Sequence, residues 1–240
     1  DIVGFQGPHI NHLTPRTLDI DKAQAMMVEK DIPAKEIIEG PPKRNCPILL
    51  RQTSFKALQE PIVFAEGQGE TGSHTARFGE IEQRGVALTK KGRQLYDELL
   101  TKARTQAGTP EKDPVGYNKV LADVFLAFPD DYKSLYEQDL AYFFYRVNKA
   151  DDRLKTASKD DAKALVADGV LAIEPIVYED FLPVSAAGIF QSNLGDDAKQ
   201  SSEADLSDKQ AFETALGASV YDECVLYQAM MDKSLEACLG

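Results

Sequence analysis

A chain of 240 residues suffices for one large domain or two small ones, and 43% hydrophobic with 28% charged residues is the balance of a soluble globular protein. A net charge of −12 argues against general binding to nucleic acid or anionic membrane, which needs clustered Lys and Arg. No apolar run approaches the ~20 residues of a membrane span.

No basic, then apolar leader is visible, and the chain starts at Asp1 rather than Met. We read it as a processed chain or as a fragment whose amino-terminal part is absent. Cys46, Cys224 and Cys238 are odd in number and lack a CxxC spacing. That pattern disfavours a disulfide framework or a structural zinc site and fits buried thiols in a reducing cytoplasm.

In chain order, Ile2 to Leu13 reads as extended, interrupted by Gly4, Gly7 and Pro8. Asp19 is placed to cap a helix from Ile20 to Lys30, with Ile20, Ala23 and Met27 on one face. Gly40, Pro41 and Pro42 end that unit. Ile48 to Leu58 reads as a strand with mixed faces. Pro61 opens a short strand, Gly67 to Ser73 forms a turn, and His74 to Leu88 reads as one long strand. This order predicts a curved sheet with one helix on its outer face.

Thr89 is placed to cap the next helix, with Leu95, Tyr96 and Leu99 on its apolar side. Helical pattern resumes from Tyr117 to Phe128, followed by an aromatic strand from Ala141 to Val147. Ser158 starts a short helix that Gly169 stops, and Val170 to Val177 is a strand in which Pro175 predicts an edge or a bulge. Tyr178 to Gly195 is apolar and rich in small residues, which lets backbone approach a ligand closely. A polar, acidic linker and two helices, near Asp208 to Leu216 and Ser219 to Leu239, finish the chain. The units expected are residues 1–107, a sheet with its following helix, and residues 108–240, which complete the pocket within the same globular domain.

The chain has three histidines, and two of them, His9 and His12, lie between Pro8 and Pro15. The prolines argue for extended backbone, where residues three apart point to opposite faces. One of the two then faces inward, and His12, among apolar neighbours, is the better candidate. Along the later strand Ala76, Phe78, Glu80, Glu82 and Arg84 share a face. A carboxylate buried there must be paired, protonated or bound to metal. An ion pair of Glu80 with Arg51 or Arg84 competes with a metal site. Two histidines and one carboxylate with open positions suit non-haem Fe(II). His12 and Glu80 supply two of those donors, and His74, His9 or a residue upstream of Asp1 supplies the third. No Walker loop, GxGxxG, HExxH or GxSxG is present, and no histidine follows Ser185 to complete a serine triad.

The motifs NHLTPRTLDID, RFGEIEQRGVALT with KKGRQLYD, and YEDFLPVSAAGIFQSNL resemble those of the 2-oxoadipate dioxygenase/decarboxylase (2-hydroxyglutarate synthase) family. The resemblance spans most of the chain and matches the family's carboxy-terminal part. It implies an α+β fold: a curved, partly closed mixed sheet, a vicinal-oxygen-chelate-like βαβββ unit, with flanking helices. It implies Fe(II) held by His12 and Glu80, these being the catalytic positions, with a further histidine and a substrate-gripping arginine in an amino-terminal part outside this chain. It also implies a pocket lined by Val184 and Ser185. The substrates implied are a 2-oxo diacid, 2-oxoadipate, and O2, and the products 2-hydroxyglutarate and CO2, a step of lysine breakdown. Arg16, Arg51 and Arg84 are candidates for the distal carboxylate, because guanidinium matches carboxylate in a forked geometry. The competing readings are a Zn²⁺-dependent lyase or isomerase on a small oxo acid, and a metal-free module that binds small acids.

Overall fold

The computed structural model describes residues 15–35, 37–54, 58–63, 71–76, 80–108, 112–179 and 213–239. The first helix, α1 (Ile20–Glu29), starts where expected: Asp19 is extended and its carboxylate accepts from the Lys22 N–H. Ile20 and Met27 face inward.

Four strands follow: β1 (Leu50–Ser54), β2 (Leu58–Val63), β3 (Thr71–Ala76) and β4 (Glu80–Arg84). They form two antiparallel ladders, β1 with β4 and β2 with β3, rather than the one curved sheet expected. The predicted strands are also cut differently. Leu49 sits at φ 52, in the left-handed region, so β1 starts at Leu50 rather than Ile48. Thr71 to Ser73 belong to β3, not to a turn, and His74 and Glu80 lie in different ladders rather than on one long strand. Pro61 lies inside β2, opposite Ser73, instead of opening it. In a two-stranded ladder each strand has a free edge, where a missing N–H is tolerated.

Two short segments widen the β1–β4 ladder. Pro15–Thr17 runs parallel to β4, with the Glu82 N–H donating to the Pro15 carbonyl and Thr17 N–H to the Glu82 carbonyl. Pro15 has no N–H and so donates no backbone hydrogen bond toward Glu80. On the far edge, Glu39 and Gln52 exchange backbone hydrogen bonds.

The rest of the chain supplies the core. Helix α2 (Lys90–Ala107) is capped by Thr89, and α3 (Pro114–Phe125) by Asp113 with Pro114 in its first turn, three residues earlier than the apolar pattern suggests. Then come α4 (Tyr132–Glu137), β5 (Phe143–Val147), α5 (Ala162–Ala167), β6 (Leu171–Pro175) and α6 (Glu223–Glu236). Strands β5 and β6 pair antiparallel, with Pro175 at the ladder's end opposite Phe143. Ile48, Val86, Phe125, Phe128, Leu135, Leu140, Phe143 and Leu171 are fully buried in one cluster. Each such side chain contributes about 1.5–3 kcal/mol by leaving water. Arg44 ties the segment before β1 to this core. Its guanidinium lies over Phe128 and donates to the carbonyls of Phe125, Phe128 and Pro129 at the end of α3.

Residues 85–88 join the two halves. The Gly85 carbonyl accepts from Tyr178, Ala87 donates to Ile176 and accepts from Tyr142, and Leu88 bridges Ala141. Among the described residues no helix is long and apolar enough to cross a membrane.

Candidate functional site

Side-chain alternation gives the β1–β4 ladder two unlike faces. Helix α1 covers one. There Arg51 makes a two-point pair with Asp21, at 2.7 and 3.0 Å, and Gln24 donates to the Thr53 hydroxyl at 3.2 Å. The Arg51 guanidinium holds the Asp21 carboxyl below its ordinary pKa. Arg51 therefore faces away from Glu80, and the Glu80–Arg51 ion pair considered from sequence does not form.

The opposite face carries Gln52 and Ser54 from β1 and Glu80, Glu82 and Arg84 from β4. Gln52 lies across from Glu82 and Ser54 across from Glu80. This face is polar yet sheltered: Gln52, Ser54 and Glu82 are buried and Glu80 is half-buried. Buried polar side chains carry a desolvation cost that an apolar sheet face avoids, so each of them needs a partner.

Two carboxylates on this face have different surroundings. Glu82, only 6% exposed, is held by two arginines. Arg84 Nε donates to its Oε1 at 2.7 Å and Arg16 Nε to the same oxygen at 3.2 Å. Glu80 accepts from the side-chain amide of Gln52, its diagonal neighbour across the ladder. The Gln52 amide thus orients the Glu80 carboxylate, as outer-shell donors do for ligating carboxylates.

A third carboxylate arrives from after β6. Glu179 accepts from Arg16 Nη2 at 2.9 Å and from Arg84 Nη1. The two guanidiniums are thereby bracketed by Glu82 and Glu179. Arg84 commits all three nitrogens, Nη2 to Glu82 Oε2 at 3.4 Å and Nη1 also to the Tyr178 carbonyl at 3.3 Å, and its side chain is 14% exposed. Arg16 is 54% exposed and uses Nε and Nη2 in these pairs. Arg84 therefore serves as a frame for the face, and Arg16 presents the more open guanidinium.

Of the site residues expected from sequence, Glu80, Arg16 and Arg84 come together on this face. His12, His9, Val184 and Ser185 lie outside the described residues. His74 is in β3, whose ladder pairs with β2, so the parity that would put it on Glu80's face does not carry over from β4. Glu179, Gln52 and Ser54 were not singled out from sequence. Alternation in LRQTS could have flagged Gln52 and Ser54, but nothing local reveals a contact between Glu179 and Arg16 across 163 positions. Among the described residues no group of three His, Cys, Asp or Glu could hold a metal. All three cysteines are free, and burial pushes the Cys46 thiol up to about 12.

A family model described as 2-oxoadipate dioxygenase/decarboxylase matches residues 1–193. The chain belongs to that family. Family members named 2-oxoadipate dioxygenase/decarboxylase include one from Pseudomonas putida, 54% identical over 242 residues, covering 99% of this chain and 52% of the relative. The Escherichia coli member is 53% identical over 240 residues, covering 99% and 52%. The Mycobacterium tuberculosis member is 38% identical over 239 residues, covering 96% and 47%. Among solved structures, the hydroxyglutarate synthase from Pseudomonas putida in complex with 2-oxoadipate superposes with a TM-score of 0.75 at 52% identity, covering 99% of this chain and 51% of that one. A further structure of that synthase gives a TM-score of 0.71 at 46% identity, with coverage of 99% and 50%. The chain spans about half the length of the curated relatives it matches. The family resemblance drawn from the three motifs is thus established.

Proposed function

We propose that this chain supplies the Glu80 face of a 2-oxoadipate dioxygenase/decarboxylase, which converts 2-oxoadipate and O2 to 2-hydroxyglutarate and CO2. The observation that carries the reading is family membership together with a sheltered, polar sheet face on which Glu80 is oriented by Gln52. The solved relative that binds 2-oxoadipate supports the choice of substrate. We read the unit as vicinal-oxygen-chelate-like on its order of an extended segment at Pro15–Thr17, α1 and then strands, although the four strands β1 to β4 are one more than a βαβββ unit holds.

An oriented carboxylate fits one position of an Fe(II) site, and we assign His12 and Glu80 as ligands. Arg16 lies beside Glu82; His12 precedes Arg16, and Glu80 precedes Glu82, by even numbers of residues. Even spacing is what an extended chain needs to keep side chains on one face. Fe(II), when bound, supplies Lewis acidity and redox capacity toward the 2-oxo acid and O2. The remaining work belongs to the chain. Gln52 holds the Glu80 carboxylate in one orientation. Arg16 offers a guanidinium edge to the distal carboxylate of the diacid, with Glu82 and Glu179 fixing its plane. Val184 and Ser185 contribute substrate contacts.

The test is an oxygen-electrode assay of the full-length protein reconstituted with Fe(II), offered 2-oxo diacids of several lengths. The reading expects O2 consumption with 2-oxoadipate, and none with any diacid would end it. Zn²⁺ content without O2 uptake would favour the lyase or isomerase reading. Unchanged ligand affinity and metal content in His12→Ala and Glu80→Ala would favour the metal-free module.

A further inference from the structure

The polar face is completed from a part of the chain that the family model does not reach. That match ends at residue 193, whereas α6 begins at Glu223. From the second turn of α6, Tyr227 extends to the loop after β6 and contacts a single residue there twice. Its hydroxyl donates to the Glu179 carbonyl at 2.9 Å and accepts from the Glu179 N–H at 2.7 Å. Both hydrogen-bonding groups of one backbone unit are therefore satisfied by one side-chain oxygen. The Tyr227 ring is buried and stacks on Tyr142, with centroids 5.5 Å apart. That stack fixes where the hydroxyl sits.

Glu179 is the residue whose carboxylate bridges Arg16 and Arg84. Upstream of it the chain is pinned by Tyr178 N–H to the Gly85 carbonyl and by the Val86–Val177 bridge. Arg84 keeps Glu82 and the Tyr178 carbonyl if Glu179 moves. Arg16, more exposed, would keep Glu82 alone. A guanidinium held at two points presents a fixed plane to an incoming carboxylate, and one held at a single point must be ordered on binding, which weakens affinity.

We propose that Tyr227 is a positioning residue for substrate: it holds Glu179 between Arg16 and Arg84, so that the carboxy-terminal helix α6 sets the orientation of the arginine that receives the distal carboxylate. This rests on the reading of the face as a 2-oxo diacid site. The effect falls on the remote end of the substrate and not on the reacting end near Glu80. It is therefore an effect on KM far more than on kcat.

The test uses the full-length, Fe(II)-loaded protein and two matched variants. Tyr227→Phe removes only the oxygen that contacts Glu179 and keeps the ring on Tyr142. Tyr142→Phe removes a hydroxyl from the same stacked pair, one that lies against Cys224 and touches neither arginine. In Tyr227→Phe the KM for 2-oxoadipate should rise roughly tenfold with kcat within about twofold of wild type, the split of an interaction made equally in ground and transition states. Hydrogen exchange at the Glu179 amide should accelerate in the same variant. Tyr142→Phe should leave both readings at wild-type values. A Tyr227→Phe protein with unchanged KM, or with an unchanged exchange rate at Glu179, overturns the proposal. So does a Tyr142→Phe protein whose KM rises as much, because that would be a general packing effect. Wild-type protein that consumes no O2 with any 2-oxo diacid takes down the functional reading and this proposal together, an outcome distinct from the others.

Discussion

At the residue scale, the two glutamates of β4 have different surroundings, and the proposed function gives them different roles. Glu82 is buried and neutralises parts of two guanidiniums. Removing one partner of a buried pair leaves charge uncompensated, at ~3–5 kcal/mol, and Glu179 offsets part of that here. Glu82→Gln is therefore expected to lower stability by about 2–3 kcal/mol, read from the urea midpoint at constant m. Glu80→Gln should behave oppositely. Its side chain keeps shape and an acceptor for Gln52, so the urea midpoint should stay near wild type. On the proposed function the anionic ligand is lost, so iron stoichiometry after dialysis should fall. A Glu80→Gln protein that unfolds early but retains iron would exchange the two roles. Asp21 gives a pH signature. Its pairing with Arg51 lowers the folded pKa below the ordinary carboxylate value, so the pair's stabilisation is fully present above the unfolded pKa of ~4. It is lost as pH falls through the lowered folded value. Asp21→Asn should flatten the acid unfolding curve between pH ~4 and the lowered folded value, and a variant that keeps the wild-type pH dependence in that window would refute the assignment. The sequence exposed the Glu80 face through alternation, since Glu80, Glu82 and Arg84 differ by two. It did not expose which arginine each glutamate meets, because Arg16, Gln52 and Glu179 arrive from distant positions and only the folded register brings them near.

At the element scale, caps and breaks were the readable part. Asp19, Thr89 and Gly169 do what their chemistry dictates, because a capping side chain or a left-handed glycine acts within four residues. Strand partners were not readable in the same way. The stretch from His74 to Leu88 alternates well, but alternation does not say that β3 pairs with β2 while β4 pairs with β1. Leu49 at φ 52 is a further case, since nothing in a leucine announces a left-handed backbone. Gly85 tests the junction between β4 and the core. A Cβ there would lie 2.1 Å from the Pro47 carbonyl carbon and 2.2 Å from its oxygen, both backbone atoms that cannot swing aside. Gly85→Ala should therefore cost at least ~2 kcal/mol, toward the upper part of the overpacking range, and should disturb the Tyr178–Gly85 hydrogen bond beside Glu179. An alanine variant with wild-type thermal stability would mean that β4 and the Pro47 segment are not packed this closely.

At the scale of the whole chain, the question is whether the ladder bearing Glu80 can open without the helical core. Three connections say it cannot. Residues 85–88 hydrogen-bond to both the β5 and β6 sides, Arg44 binds the end of α3 from the segment preceding β1, and Tyr227 of α6 holds Glu179 against Arg16 and Arg84. A smaller buried cluster of Ala87, Tyr142, Ile176 and Tyr227 sits at the junction, and Tyr178 and Met231 pack against both it and the larger cluster that runs from Cys46 to Leu235. A ladder of two five-residue strands has too little apolar surface to stand alone, so its stability is borrowed from that cluster. Unfolding should then be a single transition, even though chains of this length often populate intermediates. Far-UV circular dichroism reports the helices of the core. Hydrogen exchange at the Glu82 and Thr17 amides reports the pairing of β4 with Pro15–Thr17 on the ladder's edge. Both should give the same opening free energy within about 1 kcal/mol under conditions where exchange is limited by global unfolding. Ladder amides that exchange much faster than the core would instead mean that the Glu80 face opens on its own. In that event Gln52 and Arg16 would not be held in place before substrate arrives, and the site would have to be assembled by the ligand itself.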